Sequence, residues 1–282
     1  MTYCVGIEVD EGLVFAADTR TNASLDDVRV HRKLHVFEYP GQAAYVLMAA
    51  GNLATTQLLV SRLGRDASER RTPNLRDMTH LFEAAEYVGQ LLVDSQVHSS
   101  QSEHGHDGVN TQATLIFGGQ IAGERPGLYM IYPLGNAIAA SPETPYLQIG
   151  ESKYGKPILD RILSPATRLE DAARTAIVSL DSTIRSNLSV GLPIDLTLLR
   201  DGDLRIGQQL RLGADSTLYA DIHQNWSRRL EQAVDALPRF PWETTGASAQ
   251  RFGRCAEDQL HLLRLEQAMD ALPRFPWETA ER

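Results

Sequence analysis

The chain opens with short apolar runs punctuated by polar turns. Tyr3 to Val9 and Leu13 to Asp18 are two such runs, joined by Asp10-Glu11-Gly12, and they predict a β-hairpin over 3–9 and 13–18. Residues 19–32 are polar and charged and carry no strand pattern. A strand is predicted over 34–38, followed by a Tyr39-Pro40-Gly41 turn. The run Ala43 to Ala50 is almost continuously apolar, as in a strand buried on both faces. Beyond Gly51-Asn52 the spacing becomes helical. One helix is predicted over 53–63. A longer one follows over 75–97, with Met78, Leu81, Phe82, Ala85, Val88, Leu91 and Leu92 on its apolar face.

A polar loop over 98–110 leads back to strand patterns at 111–118, 127–132, 136–140 and 146–149. Helices are predicted from 153 to 163 and from 167 to 187, the second opened by a Thr167/Glu170 capping box. Strands over 194–199 and 204–206 close this part. The order is strands, two helices, strands, two helices, strands. Two facing sheets, each covered by a helix pair, satisfy it; a doubly wound fold would need strand and helix to alternate. The expected class is α+β, a four-layer αββα sandwich over 2–210.

The rest reads differently. A helix is predicted over 216–236, within a helical extension at 211–244. The segment Leu230 to Thr244 then returns as Leu265 to Thr279, with Val234 replaced by Met269. Two copies do not make a solenoid. The first copy is expected to pack on the body through Phe240 and Trp242, and 245–282 to be a peripheral tail. Trp226, Trp242 and Trp277 are read as packing anchors.

Composition narrows the function. The net charge of -9 argues against nucleic acid and against an anionic membrane surface. No apolar stretch is long enough to span a bilayer, and the N-terminus lacks a signal-peptide pattern. Cys4 and Cys255 form neither a disulfide framework nor a metal spacing. A cytoplasmic protein without cofactor or metal is expected. His98, His104 and His106 with Glu103 and Asp107 offer the strongest metal reading, but they lack ligand spacing and read better as a solvated loop.

Candidate chemistry centres on Thr2. Alone it is an ordinary second residue. If Met1 is removed, however, it carries a hydroxyl and a free α-amine, whose reference pKa of about 7.7–8.0 lets it take the hydroxyl proton. The hairpin returns Asp18 to Thr2, and Lys33 opens a strand that can lie beside both. A lysine ammonium there lowers the pKa of the Thr2 hydroxyl, and Asp18 orients it. The strand end at Ala49-Ala50-Gly51 can offer N–H groups to an oxyanion.

These residues sit in longer matching stretches. They are Thr-Tyr-Cys-Val-Gly at 2–6, Gly-Leu-Val-Phe-Ala-Ala-Asp-Thr-Arg-Thr-Asn at 12–22 and Arg-Lys-Leu-His-Val-Phe at 32–37. Ala-Ala-Gly-Asn-Leu-Ala-Thr-Thr at 49–56, Ile-Gly-Glu-Ser-Lys-Tyr-Gly-Lys-Pro-Ile-Leu-Asp at 149–160 and Ser-Asn-Leu-Ser-Val-Gly at 186–191 complete the set. Over about 2–240 the chain resembles the proteasome β-subunit and HslV superfamily of N-terminal-threonine (Ntn) hydrolases, and within it the bacterial proteasome-type proteases called Anbu.

The resemblance implies an Ntn-hydrolase fold and a peptidase or amidase with Thr2 as nucleophile. It also implies Asp18 and Lys33 as its partners, Gly51 in the oxyanion hole, and Ser189 as a retained site serine. Two positions depart from the superfamily pattern: Glu151 stands where a serine is usual, and Ser186 where an aspartate is. A homo-oligomeric ring or helical assembly is implied, with a peptide or amide substrate; any ATP dependence would come from a partner. The alternative is a structural or binding ring with little or no turnover, and Glu151 and Ser186 are its support.

Overall fold

The computed structural model describes residues 2–22, 28–102 and 110–243. The strands are β1 (Tyr3–Val9), β2 (Gly12–Asp18), β3 (Arg20–Asn22), β4 (Val28–Val30), β5 (Leu34–Tyr39) and β6 (Ala43–Gly51). They continue with β7 (Ala113–Ile121), β8 (Gly127–Ile131), β9 (Ala137–Ala139), β10 (Tyr146–Gly150), β11 (Ile194–Arg200) and β12 (Gln208–Leu212). The helices are α1 (Leu53–Ser68), α2 (Leu81–Ser102), α3 (Lys156–Ile162), α4 (Leu169–Ser186) and α5 (Thr217–Asp235). The chain divides into two compact units, Met1–Glu231 and Gln232–Arg282.

In the first unit two 5-stranded sheets run in the orders β10-β1-β2-β11-β12 and β5-β6-β7-β8-β9. Every pairing is antiparallel. Side-chain alternation explains why the central strands lack an apolar/polar pattern. On β2, Val14 and Ala16 face α3 and α4, while Leu13, Phe15 and Ala17 face the other sheet. On β6, Tyr45 and Leu47 face α1 and α2, while Ala44, Val46 and Met48 face inward. Each sheet is buried on both sides, so a run of apolar residues is what the fold requires. The result is the mixed α+β sandwich of four layers expected above.

Several elements differ from the sequence reading. Residues 19–32 contain a small hairpin, with Arg20 paired to Val30 and Asn22 to Val28. The helix predicted over 75–97 begins as a separate 3-10 turn, Leu75–Asp77, before α2 starts at Leu81. Phe82 is exposed rather than buried. No capping box opens α4. The Thr167 hydroxyl instead accepts from Ser164 N at 2.9 Å, and Glu11 of the β1–β2 turn takes the Leu169 N–H at 2.8 Å. The last strand lies at β12, not at 204–206; four of its five positions are exposed, as suits a sheet edge with little apolar signal.

Phe240 and Trp242 are 57% and 70% exposed and stack on one another at 4.7 Å, so neither is a buried anchor. Trp226 is half-buried. Trp277, the second copy at 265–279, Cys255 and the residues Glu103, His104, His106 and Asp107 lie outside the described residues.

Candidate active site

The first unit brings both sheets together at one end. Thr2 directly precedes β1, and Asp18 ends β2. Lys33 precedes β5, and Gly51 ends β6. One sheet therefore carries Thr2 and Asp18, the other Lys33 and Gly51.

Asp18 is fully buried and organises the rest. Its Oδ1 accepts from Lys33 Nζ at 2.6 Å and from the Tyr3 N–H at 3.0 Å. Its Oδ2 accepts from the Gly191 N–H at 3.4 Å. Two donors meeting at one oxygen hold the Lys33 ammonium within one residue of Thr2. Burial pushes the Asp18 carboxyl above its ordinary value; the Lys33 charge and the three hydrogen bonds pull the other way. Lys33 Nζ also donates to Arg20 O at 2.6 Å. The ammonium, side chain 7% exposed, is thus held by one carboxylate and one carbonyl. Taking either charge away from such a pair leaves the other buried and uncompensated.

The two glycines at the site are there for close approach. Gly51 has φ +123°, and a Cβ on it would lie 2.4 Å from Gln112 O. Its N–H direction follows from the ladder. Ala49 N donates to Lys33 O at 3.1 Å, and Asn52 N to Gln112 O at 3.0 Å. Alternate amides of a strand point to opposite sides, so Gly51 N–H points with that of Ala49, to the Lys33 side. Gly150 has φ +83°, and a Cβ on it would lie 1.8 Å from Thr2 O. Only glycine lets β10 close this tightly on the start of β1. The next residue, Glu151, donates its N–H to Thr2 O at 2.8 Å.

Around these groups Cys4 and Tyr3 are packed away. Burial pushes the Cys4 thiol far up, so it does not compete as a nucleophile at neutral pH. Burial likewise pushes the Tyr3 phenol up to about 12. Its hydroxyl shares a 2.7 Å hydrogen bond with Ser179 Oγ and receives one from Gln148 Nε2.

Of the residues singled out by sequence, Asp18 and Lys33 are in direct contact, Thr2 adjoins the Tyr3 amide that donates to the same Asp18 oxygen, and Gly51 faces the Lys33 side. Ser189 stands apart. Its hydroxyl and N–H both go to Asn187 Oδ1, at 2.6 and 2.9 Å, and it joins the cluster through its neighbours: Gly191, which donates to Asp18, and Leu188, whose carbonyl accepts from Arg20. Ser186 is the exposed last residue of α4. Sequence reasoning missed the roles of Arg20 O, Tyr3 N and Gly191 N, because a backbone group carries no residue-type signal. Among the described residues there is no cluster of metal-ligating side chains, and no helix is long and apolar enough to cross a membrane.

Comparison with known proteins gives a consistent result. The proteasome subunit family profile matches residues 2–197. No curated protein matches. Among solved structures, Anbu (ancestral beta-subunit) from Yersinia bercovieri is 42% identical with a TM-score of 0.79, covering 84% of this chain and 99% of its own. The helical assembly of the Anbu complex from Pseudomonas aeruginosa is 42% identical, TM-score 0.80, covering 85% and 98%. Anbu from Hyphomicrobium sp. strain MC1 is 40% identical, TM-score 0.76, covering 85% and 99%.

Proposed function

The chain belongs to the proteasome subunit family, in its Anbu branch, and from that premise we propose that it is a threonine hydrolase of peptide or amide bonds whose nucleophile is Thr2 after loss of Met1. The observation that carries this reading is the buried Asp18–Lys33 pair, tied through a shared oxygen to the amide that follows Thr2. In the cycle, the Thr2 α-amine takes the proton from Oγ as Oγ bonds to the substrate carbonyl carbon. Lys33 lowers the cost of the developing alkoxide, and Asp18 keeps Lys33 charged and in place. The Gly51 N–H stabilises the oxyanion. The ammonium then returns the proton to the leaving amine as the C–N bond breaks, and water releases the acyl group. Ser189 supports the loop whose Gly191 holds Asp18.

The proposal extends to assembly and setting: a homo-oligomeric ring or helix in the cytoplasm, as the Pseudomonas relative forms a helical assembly. An ATPase or other partner would present substrate. The second reading is a ring of the same fold with little turnover, and Glu151 in place of serine favours it. Hydrolysis of a fluorogenic peptide library separates the two. The hydrolase reading expects at least one peptide cleaved by the wild type and none by Thr2→Ala at matched assembly. Equal cleavage by both proteins, or none by either, contradicts it.

A further inference from the structure

The charge at Glu151 is unexplained by the chemistry above. Its Oε2 is buried and has no hydrogen-bond partner among the described residues. Its nearest cation is Lys153 Nζ at 3.7 Å, on a side chain 69% exposed to water. A buried carboxylate oxygen without a donor has given up its water and gained nothing in return, so a donor that arrives later finds a prepared place.

The ladder says which donor that is. Thr2 O accepts from Glu151 N, so the polar groups of Thr2 face β10. The next amide, Tyr3 N, faces the opposite way, to Asp18 on β2. In extended chain the N and C=O of one residue point to the same side. The Thr2 nitrogen therefore faces the β10 main chain at Glu151, and because residues directly opposed across an antiparallel pair carry their side chains on the same face, the Glu151 side chain stands on the Thr2 side-chain face, within reach of an amine freed to turn by the loss of Met1.

We propose that Glu151 is a positioning residue that receives the α-ammonium of Thr2 once Met1 is gone, orienting the amine that serves as base. It does for the amine what Asp18 does for Lys33. The assignment rests on the hydrolase reading only for its consequence in catalysis; the ion pair itself does not. Lys33, Arg20 and Lys156 already have partners. Lys33 is held by Asp18 and Arg20 O. Arg20 Nη1 donates to Leu188 O at 2.9 Å. On α3, Lys156 and Asp160 pair with one another at 2.9 Å. Among the described residues Lys153 competes for Glu151, and its Nζ also lies over the Tyr154 ring, 5.1 Å from the centroid, where it can rest when the ammonium takes the carboxylate.

The test titrates the amine itself. Protein whose mass shows loss of Met1 is pulse-labelled with acetic anhydride across pH, and modification of the N-terminal peptide is read by mass spectrometry. A neighbouring carboxylate favours the charged amine, so Glu151→Gln should move the titration midpoint about 1 unit lower. Glu151→Asp should fall between the two, and Lys153→Met should move the midpoint upward. Coincident midpoints for wild type and Glu151→Gln would overturn the proposal. Addition of Thr2 Oγ to the vinyl carbon of a peptide vinyl sulfone, which forms an ether, is followed in the same samples. Separated midpoints without this labelling would sink the hydrolase reading and leave the Glu151 contact standing. Labelling with coincident midpoints would do the reverse.

Discussion

Two aspartates in the first unit are buried to nearly the same degree, Asp18 at 0% and Asp181 at 5% exposure, yet they do opposite work. Asp18 holds a cation and two backbone amides where the sheets meet. Asp181, on α4, holds side chains of α5: its Oδ1 accepts from Tyr219 OH at 2.7 Å and from His223 Nδ1–H at 2.8 Å. Burial, and then the Asp181 charge, push the Tyr219 phenol well up, so it remains a donor throughout the ordinary pH range. One carboxylate keeps a charge poised beside a candidate nucleophile; the other fastens a helix. Burial and residue type do not distinguish them. The partners do, and so does what lies beyond the partners.

The comparison breaks first at Lys33. Lys33→Ala should slow labelling of Thr2 Oγ by a peptide vinyl sulfone by about 100-fold or more, because a well-placed charge at a developing alkoxide supplies about 3 kcal/mol. The same change should also lower stability, since it leaves Asp18 without its cation. Adding Asp18→Asn should recover part of that stability, measured by urea unfolding, without recovering labelling. Recovery of both would mean that the pair acts only in folding.

Asp181→Ala should show the converse. It removes two hydrogen bonds from α5 and should cost about 1–3 kcal/mol in urea, with the labelling rate within twofold of wild type. Tyr219→Phe should cost less, about 0.5–1.5 kcal/mol. A labelling loss that tracks the stability loss would erase the distinction between the two aspartates.

How much of this was legible in the sequence follows the same division. Long apolar runs marked the buried strands, and the order of helices and strands gave the four layers. The types and spacing of Thr2, Asp18 and Lys33 pointed to a common site. What escaped is tertiary. Arg20 O, which holds Lys33, looks like any carbonyl. Gly191 N reaches Asp18 from far along the chain. Glu11 caps α4 where Thr167 had the local pattern, because a carboxylate delivered by the hairpin turn fills the same place. The β3–β4 strands are three residues each, and β12 alternates only over Leu210-Arg211-Leu212, too short a run for periodicity to mark.

The smallest effect is expected at the end of the chain. Within residues 245–282, the stretch 265–279 is a near-copy of 230–244, and the tail is expected to be peripheral. Their removal should leave the Tm and the labelling rate of Thr2 unchanged within error. A drop in either would assign the second copy a role of its own.

The central proposal is that Thr2 is the nucleophile and that the neighbouring Asp18–Lys33 pair activates it. Tandem mass spectrometry of the vinyl sulfone adduct tests it most directly. One probe per chain is expected, bonded to the oxygen of an N-terminal Thr2, absent from Thr2→Ala and forming about 100-fold more slowly in Lys33→Ala. An adduct on another residue, or one on Thr2 that forms as fast without Lys33, would contradict it.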